Sequence, residues 1–209
     1  MRFIYFLLLL YCCGLTVSAQ AARLALVIGN NAYQGGYHLN KKPINDAKEM
    51  TKLLKQVGFK VYPFYDLNRE AFQSEIQRFG KRLSKDDQVV VYYSGHGSQY
   101  QQHNYLIPVG AINEVGVPTH LQYKAVSVDY LLDTLEYYSP AVNIVILDAC
   151  RDNPFKSLFR SKNDSKTLVR NKDALNGLHA QPAPSGTLLA YATEENKQAL
   201  AGRGSLPLS

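Results

Sequence analysis

His96 stands between two glycines in Ser94-Gly95-His96-Gly97, and Cys150 closes the run Asp148-Ala149-Cys150. Each follows an apolar stretch of buried-strand type, Val89 to Tyr93 before the histidine and Val142 to Leu147 before the cysteine. A thiol attacks a carbonyl only as thiolate, so it needs a neighbour that takes or balances its proton. Imidazole does this near neutral pH and can return the proton to a leaving amine. A base and a thiol, each delivered at the end of a buried strand, are the parts of a cysteine nucleophile. Glycines on both sides of His96 allow close backbone approach, and the amides of Gly97 and Cys150 could together hold an oxyanion. No acid is evident in the sequence to orient the imidazole, which predicts a His96–Cys150 dyad. The plainer alternatives are a structural histidine in a glycine turn and a small buried hydrophobe.

Side chains two apart in an extended chain point the same way. Ser94 therefore shares a side with His96, and Asp148 shares one with Cys150. A carboxylate beside a nucleophile would select a basic group on the substrate. The alternative for Asp148 is a buried acid that satisfies loop amides.

The elements that must position these residues alternate between strand and helix. Arg23 to Gly29 and Lys60 to Tyr65 read as strands, as do Gln88 to Tyr93, Val142 to Leu147 and Leu188 to Ala192. Asn45 is expected to cap a helix over Asp46 to Val57. A second amphipathic helix is predicted from Asn68 to Leu83, with Phe72, Ile76, Phe79 and Leu83 on one face. Ser127 caps a third through Tyr137, and Tyr105 to Val109 is a short extended piece. This order implies an α/β fold with a mostly parallel sheet and right-handed crossovers, its site beyond the carboxyl ends of the strands. The basic, aperiodic stretch from Lys156 to Lys172 reads as a long loop.

Arg2 followed by apolar Phe3 to Leu15, then small residues around Ala19 and Ala21, has the layout of a secretory signal peptide over residues 1–21. The apolar stretch is shorter than the ~20 residues a membrane span needs, so membrane contact is expected only if the segment stays uncleaved. A lipid anchor at Cys12 or Cys13 fits poorly, because Tyr11 and Cys12 are the preceding residues. The mature chain, 22–209, is thus expected to be secreted or periplasmic and to keep Cys150 as its single cysteine, which cannot form an internal disulfide. The formal charge of +6 is spread along the chain without a dense run or a recognisable nucleic-acid motif, so no nucleic-acid partner is expected. His38, His103, His120 and His179 lack the spacing of a metal site. Gly29 to Gly35 follows a strand but carries neither a Walker lysine nor a dinucleotide fingerprint, and no cofactor is expected.

Asp148-Ala149-Cys150-Arg151 resembles the caspase nucleophile signature, and Ser94-Gly95-His96-Gly97 is similar to the histidine motif of caspases and metacaspases. Arg23 to Tyr33, Asn45-Asp46-Ala47 and Asp148 to Phe155 also look like bacterial caspase-like peptidases. The resemblance covers Arg23 to Thr193. It implies a three-layer caspase-like fold, a Cys150–His96 dyad and hydrolysis of peptide bonds. It also implies a first specificity pocket lined by Asp46, Ser94 and Asp148 that accepts Arg or Lys, so the expected partners are basic peptide or protein substrates. Two features depart from the family. The ending from Gly202 to Ser209 resembles a truncation, and the acidic cluster that binds calcium in metacaspases is not evident. Glu114, Asp129, Asp133 and Glu136 are the only acids between His96 and Asp148. The rival readings are a truncated, inactive caspase-like domain that binds a partner, and another thiol hydrolase such as an amidase.

Overall fold

The computed structural model describes residues 21–150 and 178–192. The signal segment, the stretch from Lys156 to Lys172, the Asp148–Phe155 motif beyond Cys150 and the ending from Gly202 lie outside the described residues. Apart from three short helical turns between residues 111 and 124, the elements are β1 (Arg23–Gly29), α1 (Lys42–Gln56), β2 (Lys60–Tyr65), α2 (Arg69–Gly80) and β3 (Gln88–Tyr100). They continue with β4 (His103–Leu106), β5 (Val126–Ser127), α3 (Val128–Tyr138), β6 (Val142–Cys150) and β7 (Thr187–Tyr191). Five strands pair in parallel in the order β2-β1-β3-β6-β7. The far half of β3 leaves that sheet to pair antiparallel with β4, which in turn pairs with β5.

Period-two alternation sorts the strand residues into two cores. Leu24, Leu26, Ile28, Val89, Val91, Tyr93, Val145 and Leu147 face α2 and α3, where they meet Phe72, Ile76, Phe79, Leu131 and Leu135. Ala25, Val27, Val90 and Tyr92 face the other way onto Ala47 and Leu54 of α1. Because helices cover both faces, the strands are apolar on both sides, as parallel sheets require. The result is a three-layer α/β fold with a mostly parallel central sheet. A third cluster, including Tyr33, Tyr105, Ile107, Ile112 and Leu121, lies under the β4 hairpin.

Several boundaries differ from the sequence reading. Helix α1 begins at Lys42 rather than after Asn45, with Pro43 in its first turn and Lys41 at the N-cap. Proline is suited to that turn because its missing N–H would be unsatisfied there anyway. Asn45 instead donates its backbone N–H to Lys41 O, already inside the helix. Helix α2 does start at Asn68, whose side chain accepts from Ala71 N, but it ends at Gly80. A β-carbon on Gly80 would lie 2.6 Å from the Tyr138 ring, so glycine there permits close contact with α3. Ser127 caps α3 by accepting from Asp129 N. The largest difference is β3, which does not stop at Tyr93 but runs on through Ser94-Gly95-His96-Gly97 to Tyr100. Polar residues can sit inside a buried strand here because neighbouring strands and two tyrosine hydroxyls satisfy their backbone groups.

Helix α1 is fixed against the end of β1 at Gly29, where an added β-carbon would come within 2.6 Å of Pro43 O and 2.8 Å of Ala47 Cβ. Gly29→Ala should therefore push α1 off the sheet and cost about 1–3 kcal/mol of stability, the usual range for overpacking. Chemical denaturation followed by far-ultraviolet circular dichroism measures this. An unchanged midpoint would show that α1 can shift freely.

Candidate active site

The two motifs meet because β3 and β6 run parallel in register. Ser94 pairs with Asp148, Gly95 with Ala149 and His96 with Cys150. Parallel strands joined side by side bring equivalent rungs within side-chain reach of each other. Cys150 is the last residue of β6, and His96 lies where β3 changes from its parallel partner to its antiparallel one.

His96 is 6% exposed, and its Nε2 lies 2.8 Å from the carbonyl oxygen of Tyr37. A carbonyl can only accept, so Nε2 carries the proton and the neutral ring has its lone pair on Nδ1. Among the described residues, Nδ1 has no hydrogen-bond partner. Burial lowers the histidine's pKa below its ordinary value, with the Tyr37 carbonyl acting in the opposite direction. The ring also packs against Tyr33, with centroids 4.5 Å apart.

The histidine's backbone is held by two buried tyrosines. His96 N–H donates to the Tyr33 hydroxyl at 3.1 Å, and that hydroxyl donates to Ile107 O at 3.0 Å. The Tyr93 hydroxyl donates to His96 O at 2.8 Å, and Ile107 N–H donates to the same oxygen. Gly95 is required between them. A β-carbon there would lie 2.5 Å from the Tyr93 hydroxyl and 2.7 Å from the Tyr33 hydroxyl. Since both peptide groups of His96 point toward β4, strand alternation turns the Gly97 N–H the other way, toward β6. Leu178 packs over Gly97, leaving no room for a β-carbon, which would sit 2.8 Å from Leu178 Cγ. The segment carrying Leu178 is latched by buried Asn104, which bonds to His179 N and O and to Gln181.

Neither Tyr37 nor the tyrosine pair was singled out by the sequence reading. A backbone carbonyl has no sequence signature, and Tyr93 reads simply as core. The Tyr37 carbonyl orients the imidazole without a carboxylate. The loop that holds it is fastened by Asn31, whose Oδ1 accepts from Leu39 N and Lys41 N, and by Asp66, which accepts from Asn31 N and Ala32 N.

Asp46, Ser94 and Asp148 converge on one cavity of about 240 Å³, whose wall also includes Pro43, Gly95 and Ala149. Asp46 comes from α1 and the other two from one shared rung of β3 and β6. Burial, together with the charge on Asp148, raises the Asp46 carboxyl above its usual range, while Lys42 acts against this. Asp46 Oδ2 is buried without a hydrogen-bond partner among the described residues. Asp148 Oδ2 accepts from the Tyr92 hydroxyl at 3.0 Å. The remaining histidines are apart from one another. His38 lines this cavity, His103 pairs with Asp129 at 2.6 Å, His120 meets the backbone of Glu114, and His179 lies beside Asn104. Among the described residues, no group of three or more His, Cys, Asp or Glu is placed to hold a metal ion.

The family model of the caspase domain matches residues 22–206. The chain belongs to the caspase-domain family. This caspase-like domain is 30% identical over 129 residues to the human mucosa-associated lymphoid tissue lymphoma translocation protein 1. The match takes in 62% of this chain but only 15% of the human protein's length. Among solved structures, it is similar to protein GSU0716 of Geobacter sulfurreducens (TM-score 0.48, 22% identity, 62% of this chain and 50% of that one). It is also similar to the Drosophila initiator caspase Dronc (TM-score 0.46, 11% identity, 59% of this chain and 47% of that one). Family membership makes this a domain of the cysteine-protease class.

The two acids of the caspase-like domain's cavity have a consequence for stability. A carboxyl whose pKa is raised on folding opposes the fold once it ionises, so that effect is absent below about pH 3.8 and grows as pH rises through the folded value. Asp46→Asn should therefore raise the melting temperature at pH 7, with the gain shrinking toward pH 4. Thermal melts across that range test it, and a pH-independent shift would remove the electrostatic cause.

Proposed function

We propose that the chain is a cysteine endopeptidase in which Cys150 is the nucleophile and His96 its base, cleaving after Arg or Lys. The observation that carries this reading is the β3–β6 register, in which His96 and Cys150 share one rung. The thiol proton passes to His96 Nδ1, the nitrogen left unprotonated by the Tyr37 contact. Burial favours the neutral ring, so the base is available at pH 7. The sulfur adds to the substrate carbonyl carbon, and the resulting oxyanion accepts from the Gly97 and Cys150 amides. Nδ1 then gives its proton to the leaving amine as the C–N bond breaks. Water, deprotonated by the same nitrogen, hydrolyses the thioester and frees Cys150.

The cavity with Asp46, Ser94 and Asp148 opens two rungs before this pair and suits a long cationic side chain. A bound guanidinium or ammonium relieves the repulsion between the acids. The substrates are accordingly peptides or proteins with an accessible Arg or Lys, and an aspartate at that position would be repelled.

Cys150→Ala should abolish hydrolysis of short arginyl peptides while leaving the circular dichroism spectrum unchanged. His96→Ala should cost at least the ~10²–10⁴-fold of a proton-transfer role and should weaken labelling of Cys150 by iodoacetamide. Full activity in either variant would remove the dyad. Labelling that His96→Ala leaves unchanged would remove the base.

Specificity is tested separately. A charge-assisted contact is worth ~1.5–3 kcal/mol, about ten- to over a hundredfold in discrimination. Asp148→Asn should lower kcat/KM for arginyl peptides by that much while barely affecting neutral ones. Equal losses for both would make Asp148 a scaffold residue.

A further inference from the structure

We propose that Tyr92 is a positioning residue for the cation pocket, its hydroxyl clamping Asp148 so that the carboxylate meets a planar guanidinium in a fixed orientation and favours arginine over lysine. The inference rests on the reading of the 240 Å³ cavity as the site of a basic side chain. Tyr92 lies two residues before Ser94 on β3, hence on the same face, and one diagonal step from Asp148 on β6. Its ring is 4% exposed and packs in the α1-side core with Ala47, Leu54, Met50 and Ile146. That burial fixes the ring, and the hydroxyl reaches Asp148 Oδ2 at 3.0 Å.

The contact has one direction. Burial, followed by the charge of Asp148, pushes the Tyr92 phenol far above its ordinary range, so it stays protonated and donates. The hydroxyl takes one lone pair of Oδ2, so Oδ1 and the second lone pair of Oδ2 are left for a ligand. The clamp matters because Asp148 has two places to turn. Asp46 and Asp148 line both the 240 Å³ cavity and a second, more open one of about 590 Å³, bounded by Tyr92, Glu49, Met50 and Leu53. Without the hydroxyl, the carboxylate can rotate between them. Guanidinium needs a fixed carboxylate plane for a two-point contact, whereas ammonium is a point charge that tolerates rotation. Loss of the clamp should therefore weaken guanidinium binding selectively. A tyrosine that merely fills the core would affect all ligands alike.

The probes are n-butylguanidine and n-butylamine, which share a chain and differ in the cation. Binding is measured by calorimetry on the full chain and on Tyr92→Phe, with a thermal melt of each. Wild type should bind the guanidine more tightly than the amine. Tyr92→Phe should weaken the guanidine about five- to tenfold, the worth of one ordinary hydrogen bond as the second point of contact becomes less well aligned, and the amine less than about twofold. In an Asp148→Asn background, Tyr92→Phe should have no further selective effect. Equal losses for both probes, an unchanged guanidine affinity, or a selective effect that persists without Asp148 would overturn the proposal.

If Tyr92→Phe does not melt cooperatively, the tyrosine Cζ carbon signals of wild type decide. Butylguanidine should shift one of them more than butylamine does, and no shift would overturn the clamp. Wild type that binds neither probe would overturn the pocket and the clamp together. Wild type that binds butylguanidine but hydrolyses no peptide would remove the peptidase reading and leave the clamp standing.

Discussion

His96 sits where β3 exchanges a parallel neighbour for an antiparallel one, and neither pairing alone satisfies its peptide groups. A buried N–H or C=O left unpaired costs about 1–3 kcal/mol, so something else must reach them. Two tyrosine hydroxyls do so. Tyr33 accepts from the N–H and Tyr93 donates to the oxygen, with Ile107 closing the bridge from the hairpin. The hydroxyls fit only because residue 95 has no side chain. The same constraint turns the Gly97 amide toward β6 and holds the imidazole at the rung of Cys150. One strand thus serves both sheets, and the motif lies at the junction.

The loop between β1 and α1 completes the arrangement. It carries Tyr33 inward and sets the Tyr37 carbonyl against Nε2, while Asn31 and Asp66 hold its backbone in shape. It ends in two left-handed residues, Asn40 and Lys41, which turn the chain into α1. Glycine at position 29 lets that helix lie close to the sheet, and the close approach brings Asp46 alongside Asp148. Backbone packing at one end of the helix therefore determines charge density in the cavity.

That charge density opposes stability. Two carboxylates converge where one is partly desolvated, and its pKa rises in consequence. Local rules of this kind are broken at functional sites, where a ligand supplies the missing partner. Asp148 differs from Asp46 in having a buried phenol as donor. The two acids are thus inequivalent, with Asp148 anchored and Asp46 lacking a partner for Oδ2 among the described residues.

The sequence by itself determined the strands and their faces. Leu24-Ala25-Leu26-Val27-Ile28 and Val89-Val90-Val91-Tyr92-Tyr93 alternate between two cores because side chains of an extended chain alternate. It also made His96 and Cys150 chemically conspicuous, and motif resemblance singled out Asp46, Ser94 and Asp148. Helix α1 starts earlier than its sequence suggests, since Asn45 has the type of a cap residue while Pro43 takes the first turn. Polar residues usually mark a strand's end, so β3 reads as stopping at Tyr93, whereas here neighbouring strands and tyrosine hydroxyls take up its peptide groups. Only the tertiary structure decided which rungs meet. Register depends on how whole strands pack, and no local spacing encodes that Ser94 pairs with Asp148. It alone brought the Tyr37 carbonyl to His96, the tyrosine hydroxyls to the strand junction and Tyr92 to Asp148. These contacts join residues 3 to 63 positions apart, and three of the four use a main-chain atom that any residue could supply.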